Sequence, residues 1–219
     1  MAIYFGNDKI EEIYVGSDKI KEVYYGSEKV WGGIESVGDG YWVHKDTGVK
    51  TYFGLDADFI TNGIMSEPSW KLDCSEVNIP EGVTSLGNNC FSQCSSLTSI
   101  TLPDSVTSLG NDCFGWCTSL TSITLPDSVT SLGNNCFYGC TSLTSINIPE
   151  GVTSLGNSCF YWCTSLILAT VLPAIPPTLG WNVFGGVHTS FNIKVRSPYV
   201  DAYKAATNWT AYASKISAI

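Results

Sequence analysis

The chain contains four consecutive near-copies of a 23-residue unit, and this repeat limits its fold more than any other feature. The units start at Ile79, Leu102, Leu125 and Ile148. The second unit reads LPDSVTSLGNDCFGWCTSLTSIT and the third LPDSVTSLGNNCFYGCTSLTSIN, so the two differ at four positions only. A repeat of this length predicts a solenoid, because each unit can bury its apolar residues only against its neighbours.

Within a unit, apolar residues alternate with Thr and Ser in a pattern that predicts short strands. Leu97, Ile100 and Leu102 form an L-x-x-I-x-L pattern that is typical of a strand with one buried face. The segment VTSL at 106–109 predicts a second short strand, and a tight, 3₁₀-like segment is expected over 111–117. Stacked coils would then form continuous ladders of Leu, Ile, Phe and Cys.

The sequence divides into four predicted parts. Residues 1–32 form a β-repeat arm, residues 33–71 an irregular β connector and N-terminal cap, residues 72–170 the solenoid, and residues 171–219 a C-terminal cap. The predicted fold class is therefore mainly β, a repeat solenoid with a helical C-terminal cap. The helical stretch is expected from about Ser197 to Ile216, with four side chains facing inward: Tyr203, Trp209, Tyr212 and Ile216. Such atypical ends cover the last apolar coil of a solenoid.

The arm carries a second repeat, with a period of ten residues. Its units read IYFGNDKIEE, IYVGSDKIKE and VYYGSEKVW. Each unit predicts a six-residue strand, such as Lys9–Tyr14, followed by a G-[NS]-[DE]-K turn. Strands this short rarely stand alone. We therefore expect residues 1–32 to attach to a partner sheet or to self-associate with another copy of the chain.

Two resemblances rest on these motifs. The frame IPEGVTSLGNNCFSQCSSLTSIT resembles the BspA-like leucine-rich repeats of bacterial surface proteins, and the ending YVDAYKAATNWTAYASKI is similar to the C-terminal cap of gut-bacterial members. Over about residues 72–219, this implies a leucine-rich-repeat solenoid and an extracellular recognition or adhesion module without enzymatic activity. The sequence departs from that family at position 113, which is cysteine here and is usually a small residue such as alanine in the family. The ten-residue units resemble N-terminal segments of phage and prophage tail-associated structural proteins.

Eight of the nine cysteines form two columns of the repeat, which start at Cys90 and Cys94, and Cys74 fits a leucine position of the strand pattern. Three interpretations are open. As buried thiols, the cysteines pack as small apolar side chains. As disulfides along a column they fit poorly, because stacking holds Cβ atoms about 4.8 Å apart. As zinc ligands they lack recurring polar groups around the site. The first interpretation is favoured, and we expect no metal and no cofactor.

The two residues before each second cysteine vary, although their neighbours barely change. The four pairs are Ser92–Gln93, Gly115–Trp116, Tyr138–Gly139 and Tyr161–Trp162. This variation indicates exposure, and exposed Trp and Tyr offer large contact areas at low entropic cost. One interpretation is that the aromatic rings only cover the edge of the coils. The other is a ligand-binding surface, whose candidate residues are Gln93, Trp116, Tyr138, Tyr161 and Trp162.

Charge and hydropathy argue against two classes of partner. The net charge is −9 with 11 Lys plus Arg, which disfavours nucleic acid and anionic membrane surfaces. No apolar run reaches the about 18 residues of a membrane span, so no membrane insertion is expected. The first ten residues also lack the basic and apolar segments of a signal peptide. The chain is thus expected either to be made without a secretion signal or to begin after one.

The sequence predicts no enzyme. The histidines, His44 and His188, lie far apart along the solenoid, and there is no nucleophile motif or phosphate-binding loop. We therefore expect a non-enzymatic recognition module that binds a bacterial surface glycan or protein. The missing signal peptide and the arm favour a phage or prophage tail-associated protein in the virion. The alternatives are a secreted bacterial cell-surface adhesin and a purely structural spacer.

Overall fold

A computed structural model of the chain describes residues 74–79 and 81–219, and before them the backbone of eight short strands. Six of these strands belong to the arm. They are β1 (Ile3–Phe5), β2 (Asp8–Ile10), β3 (Ile13–Val15), β4 (Asp18–Ile20), β5 (Val23–Tyr25) and β6 (Glu28–Trp31). They pair as three antiparallel hairpins, β1 with β2, β3 with β4 and β5 with β6.

Each ten-residue unit of the arm is therefore one hairpin. In the first, the closing pair Phe5–Asp8 leaves two residues for the loop, a length that favours tight hairpin turns. The six-residue strand predicted at Lys9–Tyr14 is wrong. Strand β2 ends at Ile10 and pairs with β1, whereas β3 begins at Ile13 and pairs with β4.

A fourth hairpin closes the N-terminal end of the repeats. Strand β7 (Tyr41–His44) pairs antiparallel with β8 (Lys50–Tyr52) and also with β9 (Cys74–Asn78). Because β9 is the first repeat strand, β7 occupies the sheet edge where a preceding coil would otherwise lie. The rest of the connector predicted over residues 33–71 lies outside the described residues.

Two series of parallel strands run along the repeats. The longer strands are β9, β11 (Ser99–Thr101), β13 (Ser122–Thr124), β15 (Ser145–Ile148), β17 (Leu168–Val171) and β19 (Asn192–Val195). The shorter strands are β10 (Ser85–Leu86), β12 (Ser108–Leu109), β14 (Ser131–Leu132), β16 (Ser154–Leu155) and β18 (Thr178–Leu179). Equivalent residues of successive coils are paired in register; for example, Ile100 pairs with Ile123. The longer series forms two sheets that divide between β13 and β15. Alternate apolar residues of the strands point inward.

The third side of the coils, which we call the turn side, comprises residues 87–94, 110–117, 133–140, 156–163 and 180–187. Backbone N–H groups of this side alternate between two kinds of partner. Those of Asp112, Phe114 and Trp116 donate to carbonyls of the next coil over 2.8, 2.8 and 2.6 Å. Those of Gly115 and Cys117 donate to the carbonyl three residues earlier, over 3.0 and 3.2 Å. The predicted 3₁₀-like segment is therefore a series of turns bonded to the next coil.

The core lies between the three sides and is built from columns of identical residues. Phenylalanine rings of successive coils stack in parallel, with centroids 5.3 Å apart for Phe91–Phe114 and 5.2 Å for Phe137–Phe160. Leucine and isoleucine columns from the strands surround this stack. In-register stacking thus places copies of the same side chain next to each other through most of the core, as expected for a solenoid.

The coil pattern continues beyond residue 170, where the prediction ends the solenoid. Strand β18 pairs in parallel with β16, and Phe184 stacks on Phe160 at 5.5 Å. Val183 and Val187 replace the two cysteines, and this coil is one residue longer, since Leu155 pairs with Leu179. The boundary predicted at residue 170 therefore lies inside a coil.

The C-terminal cap combines short helices with a final strand. It contains 3₁₀ helices at Ser197–Tyr199 and Trp209–Lys215, the α-helix α1 (Val200–Ala205) and strand β20 (Ile216–Ala218). Tyr203 and Trp209 are fully buried, and their O–H and N–H groups each donate to a proline carbonyl over 2.8 Å. The predicted helical cap is confirmed, except that Ile216, buried as expected, is in a strand.

Candidate functional site

The cysteine columns are part of the core. All nine cysteines are among the described residues; all are buried, and none forms a disulfide. The thiols of Cys117, Cys140 and Cys163 donate to phenylalanine carbonyls of the preceding coil over 3.1–3.2 Å. Burial raises the pKa of Cys163 to about 12 and that of Cys113 well above its ordinary value. Because the thiolate is the nucleophile and metal ligand, these cysteines are poorly suited to either role. Residues 74–79 and 81–219 contain no His, Cys, Asp and Glu group suited to holding a metal.

Four of the five predicted site residues meet in one cluster on the turn side. The ring centroids of Trp116 and Tyr138 are 5.2 Å apart, and those of Tyr138 and Tyr161 are 5.4 Å apart. Trp162 lies 6.0 Å from Tyr161, 6.3 Å from Tyr138 and 6.2 Å from Trp116. We call these four residues the aromatic cluster. Gln93 is exposed and occupies the position of Trp116 one coil earlier.

The two tryptophans of the cluster have an unusual backbone conformation. Trp116 and Trp162 have φ of 62° and 61°, and Gln93 has φ of 66°. This left-handed conformation costs an L-residue with a Cβ about 1–2 kcal/mol. The same position is glycine in the third and fifth coils, Gly139 and Gly186, with φ of 69° and 68°. Because Gln93 and the two glycines share it, the left-handed conformation belongs to the turn of every coil, whichever residue fills the position.

Each tryptophan ring lies against a glycine of the next coil. A Cβ on Gly139 would be 2.8 Å from Cε3 of Trp116, and one on Gly186 would be 2.5 Å from Cδ1 of Trp162. Real Cβ atoms do not approach so closely, so each glycine makes room for the indole before it. The variation at these positions is therefore limited by packing between the coils, although the positions are exposed.

A column of polar residues borders the tyrosines of the cluster. It consists of Asn89, Asp112, Asn135, Ser158 and Asn182, the residue before each first cysteine or its equivalent. Asn135 Nδ2 donates to Asp112 Oδ2 over 3.5 Å. A Cβ on Gly185 would touch both the Asn182 side-chain oxygen and Cδ2 of Tyr161. Aromatic rings and hydrogen-bonding side chains thus lie side by side on this surface.

The cluster is only partly covered by its own packing. Trp116 and Trp162 are 42% and 48% exposed, whereas Tyr138 and Tyr161 are half-buried. Sequence analysis missed the polar column and also Trp181, which is 73% exposed. Trp181 follows a column of asparagines. The Oδ1 atom of each asparagine accepts the backbone N–H of the equivalent residue in the next coil, and in the last of these bonds Asn157 accepts from Trp181 over 2.7 Å. Tryptophan at a position that is asparagine in the preceding coils was the sequence signal that could have identified this residue.

In the described part of the chain, no helix has both the length and the apolar character needed to cross a bilayer.

At least two solved structures share this architecture. A leucine-rich repeat protein of T. pallidum has a TM-score of 0.52 at 25% identity, covering 64% of this chain and 69% of that one. The pneumococcal vaccine antigen PcpA has a TM-score of 0.53 at 20% identity, covering 78% of this chain and 44% of PcpA, and this likeness shows the fold alone. A leucine-rich repeat protein from Bacteroides ovatus is 27% identical over 55% of this chain and 37% of its own, with a TM-score of 0.46. No curated protein matches the chain.

The family is shown by the repeats themselves. The BspA type leucine-rich repeat region matches residues 69–188 in six copies, which is more than half of the chain. This range includes the coil after residue 170 and the whole aromatic cluster. With its parallel strands, few helices and 23-residue coils, the chain belongs to the BspA-type leucine-rich repeat family.

Proposed function

We propose that the protein is a non-enzymatic recognition module that binds a bacterial surface glycan or protein through the aromatic cluster. The observation that carries this proposal is the pair of exposed tryptophans, which pack with two half-buried tyrosines into one aromatic surface. The coil does not require an aromatic residue at this position, because Gln93 and Gly139 fill it with the same left-handed backbone. Exposed aromatic residues at the centre of a polar surface are typical binding hot spots.

The family supports a location outside the cell. BspA-like leucine-rich repeat proteins are typically surface or extracellular proteins, and PcpA is a vaccine antigen. We therefore place the module on a bacterial surface, where it acts in adhesion. Nine cysteines without a disulfide are compatible with this location, because all are buried and shielded from oxidants.

A virion location is the second candidate, and the arm favours it. Three consecutive hairpins from residues 3 to 31 leave strand edges that another chain could pair with. This arrangement supports attachment or self-association through residues 1–32. The comparisons give no support to a role in a phage tail, so we rank this location below the cell surface. A spacer role, the third alternative, predicts that no exposed residue matters.

The test is a binding assay on intact bacterial cells with a variant that the fold already accommodates. Ser92 and Gln93 fill the two variable positions in the first complete coil. The variant Trp116→Gln, Tyr138→Ser, Tyr161→Ser, Trp162→Gln therefore copies that coil. The matched control is Trp181→Gln, which removes an exposed tryptophan outside the cluster.

We expect the four-residue variant to lose at least tenfold in cell binding while its melting temperature stays close to that of the wild type. The Trp181→Gln control should bind normally. Equal binding by the variant and the wild type would contradict the proposal. Loss of binding only in the control would move the site to the end of the asparagine column. No binding by any of the three proteins would favour the spacer role.

A further inference from the structure

We propose that the ligand of the aromatic cluster is a neutral glycan, with pyranose rings stacked on Trp116 and Trp162 and hydroxyl groups bound by Asp112 and Asn135. This inference rests on the proposed function and selects one of the two ligand classes that it leaves open.

Charge argues for a neutral ligand. The chain between residues 74 and 193 contains six carboxylate residues and no Lys or Arg; the acidic residues are Glu76, Glu81, Asp104, Asp112, Asp127 and Glu150. The cluster lies in the middle of this stretch, and Asp112 borders it. An anionic polysaccharide or a phosphate-rich polymer would meet repulsion from these carboxylates, and this stretch offers it no Lys or Arg to pair with.

Ring spacing argues against a cationic ligand held in an aromatic cage. An ammonium group between two rings, each within about 6 Å of it, needs an open gap between their faces. The rings of the cluster contact each other instead, with centroids 5.2–6.3 Å apart. The cluster is therefore a surface on which a ligand lies, with no gap for it to enter.

The size of the surface argues against a folded protein as the ligand. Trp116 and Trp162 are 42% and 48% exposed, so together they offer on the order of 200 Å² of accessible surface. A standard protein–protein interface buries about 800 Å² on each partner. The coils that carry the cluster are rich in Thr, Ser and Asn. One or two sugar rings match its size.

The chemistry of the border matches a sugar as well. A pyranose ring has a face of C–H groups, which packs on an aromatic ring, and hydroxyls around its edge, which both donate and accept hydrogen bonds. Carboxylate and amide side chains supply the complementary acceptors and donors. Asn135 accepts the backbone N–H of Tyr138 at its carbonyl over 2.9 Å, and its side-chain amide donates to Asp112 over 3.5 Å. Rings and hydrogen-bonding groups thus occur together at the scale of one saccharide.

The experiment uses the full chain and two kinds of probe. Affinity electrophoresis measures retardation by neutral polysaccharides (mannan, galactan and β-glucan) and by acidic polygalacturonate. Cell binding is measured in parallel on bacteria treated with periodate, which destroys sugar rings, or with protease. Each assay includes the four-residue variant and the pair Asp112→Asn and Asp112→Gly, because both residues tolerate the φ of 52° at this position.

We expect at least one neutral polysaccharide, and not polygalacturonate, to retard the wild type, with the four-residue variant at least tenfold weaker. Asp112→Gly should weaken binding severalfold and Asp112→Asn much less. Periodate should abolish cell binding and protease should not. Cell binding that survives periodate and is lost after protease would overturn this inference and leave the proposed function intact.

Three further outcomes would also overturn it. The first is retardation by polygalacturonate alone. The second is equal retardation of the wild type and the four-residue variant by neutral polysaccharides, which would remove the glycan from the cluster. The third is sedimentation of the wild type as a dimer and of the variant as a monomer, which would make a second copy the occupant. Absence of all cell binding would contradict the proposed function as well.

Discussion

At the scale of single residues, the side chain at the variable position is coupled to the one in the next coil. Trp116 requires the glycine at 139, and Trp162 requires the one at 186. Sequence analysis found the aromatic residues because they vary between near-identical units. It could not find the coupling, since ring orientation between coils depends on side-chain packing that no repeat pattern encodes.

The first prediction concerns Gly139→Asn. Asparagine tolerates positive φ, so the backbone should be kept while the new Cβ displaces the indole of Trp116, 2.8 Å away. We expect a red shift of tryptophan fluorescence and weaker cell binding, with the free energy of unfolding changed by about 1 kcal/mol or less. Gly82→Asn is the matched control, because Gly82 has φ of 91° and nothing within 4 Å of its Cβ position. Unchanged fluorescence in Gly139→Asn would show that the ring does not lie there.

The second prediction concerns alkaline stability. Burial raises the pKa of Cys113, Cys117, Cys140 and Cys163, the last from its ordinary value near 9 to about 12. The folded state therefore holds these protons while the unfolded state releases them. The contribution of these thiols to the free energy of unfolding is fully present below about pH 8.5. Above that pH the free energy of unfolding falls by up to about 1.4 kcal/mol per pH unit for each thiol.

Urea unfolding at several pH values between 7 and 10 measures this loss. Cys163→Ala should have lower stability at pH 7 but a shallower fall, because one thiol no longer contributes. A free energy of unfolding that stays constant from pH 8 to pH 10 would contradict the burial of the cysteine columns.

At the scale of elements, the turn side depends on a column of glycines that approach the backbone of the coil before them. A Cβ on Gly133 would lie 2.5 Å from the carbonyl carbon of Gly110 and 2.6 Å from the nitrogen of Asn111. Both are backbone atoms, so no side chain can move aside. Glycine is needed at 133 because the backbones of two coils approach closely there, although its φ lies outside the left-handed region.

The third prediction follows from this contact. Gly133→Ala should lower the free energy of unfolding by about 3 kcal/mol or more, because the coils must separate to admit the methyl group. Gly115→Ala is the control: its nearest backbone atom would be 3.4 Å away, and tyrosine fills the same position in the next two coils. We expect it to change stability by less than about 1 kcal/mol, as measured by urea unfolding. Similar losses in both variants would contradict the close approach.

Strands were the most predictable elements of the described coils, because the 23-residue period fixes their register as well as their position. The pattern Leu97, Ile100 and Leu102 predicts β11, and its copies predict β13 and β15. The coil after residue 170 was missed, since valines replace its cysteines and one added residue breaks the period. In the arm, the period of ten was found, but it did not reveal that each unit closes on itself as a hairpin.

At the scale of the whole molecule, stability depends on closing both ends of the stack. The C-terminal cap covers the last coil with Tyr203 and Trp209, whose rings meet edge to face at 4.9 Å. It is also joined to the fourth repeat by Arg196, which makes a bidentate ion pair with Glu150 at 2.9 and 3.0 Å. The cap thus contacts coils that are distant in sequence.

The fourth prediction tests this cap. Trp209→Ala should lower the free energy of unfolding by about 3–5 kcal/mol, because it removes a fully buried ring and its hydrogen bond to Pro177. Trp181→Ala, at a 73% exposed position, should change it by less than about 0.5 kcal/mol. Circular dichroism during urea unfolding measures both, and equal losses would show that the cap does not seal the stack.

The pairing of each tryptophan with a glycine also determines how the array can change length. Loss of the unit 125–147 alone would place Trp162 directly after Trp116, where the first indole needs a glycine. Loss of 125–170 would bring Gly186 to that place and keep the fit. Repeats that look interchangeable in sequence are therefore not interchangeable at this point of the array: removal of two units keeps each tryptophan in front of a glycine, and removal of one does not.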